Sequence, residues 1–336
     1  MNKAVLLTLT IFAGSAMALD YQSALTTHSQ RPTVVSAQLK LQDAKRQLQL
    51  TEADPLALRL DLLKAQQNLE LSQAELQLAS IRACSEISSA YTRVLDAQAQ
   101  VKLAEESLSL AEKGLEVARL RLKKGGASQQ DVLAAEINLQ EAKNHLAVAK
   151  DGATLARSQL VSLLGKDAEK AELKPAPVLK SPPLKDLFAS LAKHPDWLKP
   201  HQAVALASAA YDLLDPSYAA PSQIDGARVN LERAQEGAAE AERGLKLRLE
   251  QRWNDVAGKQ KSVDLAAKKL HKAKDDFDVA QKRYEAGLIS ELALRQAALQ
   301  QHRAQLEYDA AEHALLAADW ALFEAAAWIP EICDAQ

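Results

Sequence analysis

The chain repeats itself, and a repeat constrains a fold more than any single motif does. Ala65, Asn68, Leu69 and Glu70 recur 162 residues later as Ala227, Asn230, Leu231 and Glu232. Tyr91 answers Trp253, and Val94 and Val101 answer Val256 and Val263. The stretch "ARLRLKKGGASQQDVLAAE" at 118–136 answers "AQKRYEAGLISELALRQAA" at 280–298. The register runs without a gap from about residue 65 to 164. Upstream it slips by one, where Pro32 pairs with Pro195 and Asp54-Pro55 with Asp215-Pro216. The proline-rich "KPAPVLKSPP" separates the copies as a linker. The spacing divides the chain into a leader at 1–18, a first repeat at 19–165, a linker at 166–186, a second repeat at 187–329 and a tail at 330–336.

Within each copy the apolar residues recur every seven. Val94, Val101, Leu108, Leu115 and Leu122 form one row, and Ala90, Ala97, Ala104, Ala111 and Ala118 another. After a break the period resumes with Val132, Leu139 and Leu146 beside Ala135, Ala142, Ala149 and Ala156. The second copy carries Ala297, Ala304, Ala311, Ala318 and Ala325. A strict seven-residue period imposes a left-handed supercoil, and alternating large and Ala residues let two helices approach closely. The expected fold class is all-α: two tandem antiparallel coiled-coil hairpins.

The breaks set the lengths. One helix is expected over roughly 56–123 and a second over roughly 128–164, parted by "GGAS". Gly125 and Gly126 permit the left-handed turn, Ser128 is a good N-cap, and Asp131 suits the following helix N-terminus. Gly287 and Ser290 take the same roles in the second copy. At 1.5 Å per residue the long helix spans about 100 Å and the returning one about 55 Å. Short helices at roughly 33–52 and 198–214 supply about 30 Å more, so each copy is a long helix beside a broken one.

The segment "LTEADPLALRLDLLK" at 50–64 admits two readings. Leu56, Leu58, Leu60 and Leu62 alternate as in a strand, and Asp-Pro marks a turn. A membrane hairpin needs two strands of about 9–11 residues. The alternation covers only Leu56–Leu62, and its mate only Leu48–Thr51. The equivalent "LLDPSYAAPSQIDGARV" has two prolines and no sustained alternation. The favoured reading is a corner between two helices.

Composition narrows the function classes. The chain of 336 residues is 48% hydrophobic but only 4% aromatic, as in long helices rather than a compact α/β core. A formal net charge of −3 and the lack of a basic stripe argue against a nucleic-acid partner. "MNK", the apolar "AVLLTLTIFAG" and then Ala16 and Ala18 read as a secretory leader cut after Ala18. The protein is expected to be exported. No His, Cys or Asp group has metal-ligand spacing, since His302 and His313 lie about three turns apart, and no catalytic constellation appears. Neither a cofactor nor enzymatic activity is expected. Export permits a disulfide between Cys84 and Cys333, within or between protomers; free buried thiols are the alternative.

The duplication, the pattern AxxRxxxG…S…DVLxAExxLxxA…L at 118–146 and "RYEAGLIS" at 283–290 resemble the TolC-like outer-membrane efflux protein family. The resemblance covers nearly the whole mature chain. It implies a homotrimer whose paired helices form a hollow periplasmic α-barrel. It also implies an outer-membrane exit duct for drugs or proteins, docked by a periplasmic adaptor and an inner-membrane transporter. Adaptor contacts would fall at the hairpin tips, at Gly125, Gly126, Ser128, Gly287, Leu288 and Ser290. Aperture residues would include Asp131 and Tyr284, although Asp131 reads equally as a helix N-terminal charge. Two departures stand out: the membrane strands have no room, and Ile289, Ala293 and Gln296 stand where the family's aperture carries an arginine and acids. An exported coiled-coil scaffold of the envelope, descended from such ducts, is the alternative, and membrane contact is left open.

Overall fold

The computed structural model describes residues 18–333. The expected leader falls on residues that lie, but for Ala18, outside this range. In chain order the elements are β1 (Ala18–Leu19), α1 (Tyr21–Leu25), α2 (Pro32–Ala53), α3 (Arg59–Lys123) and α4 (Gln129–Leu164), followed by β2 (Glu172–Leu173), α5 (Leu184–Ser190), α6 (Pro195–Asp212), α7 (Pro221–Glu285) and α8 (Glu291–Ala326). The two-residue strands pair in parallel and are the only strands among the described residues. The all-α reading of the sequence holds.

Each repeat is one 65-residue helix beside two shorter ones. α2 and α4 both pack on α3, while α6 and α8 both pack on α7. α8 and α6 also pack on α3, which joins the repeats. The result is an open array of four columns, in the order α2/α4, α3, α8/α6, α7. Proline opens α2, α6 and α7, where its missing N–H costs nothing. The corner between α2 and α3 is residues 54–58, and that between α6 and α7 is residues 213–220. Neither contains a strand. Asp54 accepts from the Leu56 N–H at 2.9 Å, and Asp215 accepts from the Ser217 N–H at 2.8 Å. Such turns close on an Asp side chain.

The core is a belt around the middle of the columns. There Ile81, Cys84, Ile87, Tyr91 and Val94 of α3 meet Trp320 and Phe323 of α8. Tyr21 and Leu25 of α1 cover them. The Trp320 indole N–H donates to the Tyr21 hydroxyl at 3.1 Å, and that hydroxyl donates to Ser88 at 2.7 Å. The Tyr91 hydroxyl lies 2.8 Å from both the Leu19 and Lys174 carbonyls, against the β1–β2 pair. Burial pushes the Tyr91 phenol up to about 12. A disulfide joins Cys84 to Cys333, with Cα atoms 6.4 Å apart. Leu187 and Leu191 form a second cluster with Leu245 and Leu249 of α7 and Leu322 of α8. Away from the belt burial thins out: on α3 only Leu115 is buried between Leu95 and Lys123.

Candidate functional site

The tips fold by local chemistry. At the first, Gly125 takes φ +75°, and the Gly126 N–H donates to the Arg121 carbonyl at 2.8 Å. This closes α3 with a left-handed residue, which favours glycine. Ser128 then opens α4: its Oγ accepts from the Asp131 N–H at 3.2 Å, and the Asp131 carboxylate accepts from the Ser128 N–H at 2.7 Å. This is a reciprocal capping box. The bonds from Ser128 hold the Asp131 carboxyl below its ordinary value. At the second tip Gly287 takes φ +69°, and the Leu288 N–H donates to the Arg283 carbonyl at 2.8 Å. Ser290 accepts from the Ala293 N–H at 3.2 Å. Ala293 has no carboxylate to return the bond, so the second cap is half of the first. Leu288 is 74% exposed at this turn.

The two candidate aperture residues do not meet in one place. Asp131 lines a groove of about 1190 Å³ between α4 and α8 that runs over α3. Leu292, Gln296, Leu299 and Arg303 of α8 face it there. Much of the groove floor is the predicted alanine rows, including Ala104, Ala111, Ala135 and Ala142. Tyr284 is not part of that lining and is 41% exposed.

Polar contacts cross the seam between the repeats, among them three made by Arg295, His302 and His313, and sequence reasoning missed them. Arg295 of α8 donates to Ser109 of α3 at 3.2 Å and pairs with Glu291 within its own helix at 2.6 Å. His302 pairs with Glu106, and His313 pairs with Asp96 at 2.6 Å. The available signal was that Arg295, His302 and His313 lie seven and eleven residues apart, on one face of α8.

The edges of the array are the other unusual surface. α4 packs along α3 and against no other long helix, and α7 packs along α8 and α6. On α4, Leu133, Ile137, Val148 and Leu155 are each at least 51% exposed, Val148 and Leu155 at the rim of the groove. At ~100° per residue they fall within an arc of about 60°. On α7, Leu247, Leu265 and Val279 are exposed and fall within about 40°. Each edge helix therefore carries an apolar stripe with nothing packed on it. No described helix is long and apolar enough to cross a membrane.

Residues 57–166 match the family model described as "Outer membrane efflux protein". The fold is that of the outer-membrane efflux channels. The outer-membrane protein VceC of Vibrio cholerae superposes with a TM-score of 0.67 at 15% identity, over 91% of this chain and 96% of that one. The CmeC outer-membrane channel of Campylobacter jejuni gives 0.66 at 11% identity, over 94% and 88%. CusC, studied for conformational changes that accompany folding and transmembrane channel formation, gives 0.64 at 15% identity, over 93% and 97%. No curated protein matches the chain. The chain thus resembles outer-membrane efflux proteins by sequence over residues 57–166 and by fold along its length. Proteins of the matched family are ducts, not enzymes.

Proposed function

We propose that the chain is the duct of an envelope efflux system: a homotrimeric helical tube acting with a periplasmic adaptor and an inner-membrane transporter to export small molecules or proteins. The open array carries this reading. One edge, α4, and the other, α7, each leave an apolar stripe bare. Two different bare edges on one protomer suit a head-to-tail contact, and head-to-tail contacts close into a ring where the rotation closes. Three copies is the number that the TolC-like resemblance implies. In the ring the tips at Gly125–Ser128 and Gly287–Ser290 gather at one end, where an adaptor would dock.

The test is the double substitution Val148→Glu with Leu155→Glu, read by multi-angle light scattering. Each buried aliphatic contributes about 1.5–3 kcal/mol. Losing two at each contact weakens association by roughly two to four orders of magnitude. The wild-type protein should run at three times the chain mass and the variant as a monomer with unchanged helicity. A strictly monomeric wild type would refute the tube.

A second reading is an exported scaffold of the envelope, favoured by the two corners, which carry no strands. Restored drug resistance in a duct-deficient strain separates the two: the duct restores it and the scaffold does not.

A further inference from the structure

The belt brings three metal-ligating side chains together from segments far apart in the chain. Cys84 lies on α3 with no exposure, and Cys333 lies on the last turn with 3%. His28 lies on the short turn after α1 and is half-buried. One ring nitrogen of His28 and the two sulfurs all lie within 4.8 Å of one another. The His28 Nδ1 sits 2.9 Å from the Leu25 carbonyl oxygen. A carbonyl can only accept, so Nδ1 carries a proton, which in the neutral ring leaves the Nε2 lone pair free. This is how metal-binding histidines are held: one nitrogen donates to a carbonyl and the other stays free to ligate.

We propose that the Cys84–Cys333 pair has a second state, a zinc site completed by His28. A dithiol reductant gives two electrons and two protons to the disulfide, which becomes two thiols while the reductant becomes a disulfide. Zn(II) then replaces the two thiol protons, which pass to solvent. With Zn–S about 2.3 Å and Zn–N about 2.0 Å, the ligand atoms sit about 3.5–4 Å apart. The three ligand atoms already lie within 4.8 Å of one another, close to that scale, and breaking the disulfide frees the two sulfurs to part. Two thiolates and one imidazole suit zinc, with water as fourth ligand on the half-exposed side of His28. The disulfide ties the C-terminal segment to α3. The zinc form ties both of these to the N-terminal segment as well. Nothing in the site depends on the duct reading, so it stands or falls separately.

The test uses the full chain, fully reduced with a phosphine under argon and titrated with Zn(II) against a chromogenic chelator. The reduced wild type should take up one zinc more per chain than the Cys84→Ser, Cys333→Ser double variant. Oxidised wild type should match that variant. His28→Ala should weaken this zinc tenfold or more, with helicity by circular dichroism unchanged. Equal uptake by reduced wild type and the double-serine variant would overturn the site. So would a His28→Ala affinity equal to wild type, or helices lost on reduction that zinc fails to restore.

Discussion

Reducing the Cys84–Cys333 bond should lower the stability of the belt, and the size of the loss follows from the chain it closes. The two cysteines are separated by 249 residues in sequence. Loop-closure entropy for a loop of that size corresponds to about 5.5 kcal/mol at 25 °C, and measured values for native bonds run at about 2–5 kcal/mol. The bond joins residues that the folded chain already holds in one hydrophobic cluster, beside Ile81, Ile87 and Trp320. The cross-link therefore acts mainly on the unfolded chain. For a chain of this length the unfolding entropy is roughly 0.7 kcal/mol per degree, so the melting midpoint should fall by about 3–8 °C. The assay is thermal unfolding by circular dichroism of oxidised and phosphine-reduced protein. A chelator keeps the reduced arm free of metal, and mass spectrometry confirms two added hydrogens. Identical melts for the two forms would refute the entropic argument. Two reactive thiols in the untreated, unfolded protein would refute the bond itself.

Two further outcomes rest on single side chains. His194 is buried and caps α6, its Nδ1 accepting from the Asp196 N–H at 3.0 Å. Burial pushes its pKa below the ordinary value, with Asp196 opposing and Arg248 and Arg82 reinforcing. The unfolded chain then binds this proton more readily, so the native state loses stability as pH falls below about 6.5, at up to ~1.4 kcal/mol per unit. His194→Asn keeps a capping acceptor and should flatten that part of the profile in denaturant titrations; an unchanged profile would count against it. Gly287→Ala should cost about 1–2 kcal/mol, because φ is +69° and the space around a Cβ is open, so the backbone alone is strained. Gly126→Ala, with only an ordinary contact to the Arg121 carbonyl at 3.8 Å, should change thermal stability little; equal losses in both would refute the distinction.

The helices were legible because their signals are local. α3 was expected to end at 123 before Gly125, and it ends at Lys123. α4 was expected from about 128, and Ser128 is its cap. The alternation at Leu56–Leu62 looked like a strand only while read alone. Leu56 and Leu58 prove to be exposed corner residues, and the helix starts at Arg59. The belt was not legible. Trp320 reaches Tyr21 across 299 residues and Tyr21 reaches Ser88 across 67, and no period in a sequence encodes such pairs. The seam between the repeats hid for a related reason. His302 and His313 stand about three turns apart, out of reach of each other, and each meets a carboxylate on α3.

The two corners bear on how a tube of this kind would end. A strand that crosses an outer membrane needs about 9–11 residues. Residues 54–58 and 213–220 are too few for even one crossing and return each, and each corner is closed by an aspartate accepting a backbone N–H two residues on. The same Asp-Pro device in both repeats makes the corner a property of the duplicated unit rather than an accident of one copy. Leu56 and Leu58 at one corner and Leu213 and Tyr218 at the other are all more than half exposed. In the proposed ring these apolar residues would crown the end opposite the tips. That crown is too short to span a bilayer and too apolar to sit bare in water at little cost. The duct reading therefore requires the crown to rest against a membrane surface or a partner that completes the passage, and the scaffold reading requires the same contact without the passage.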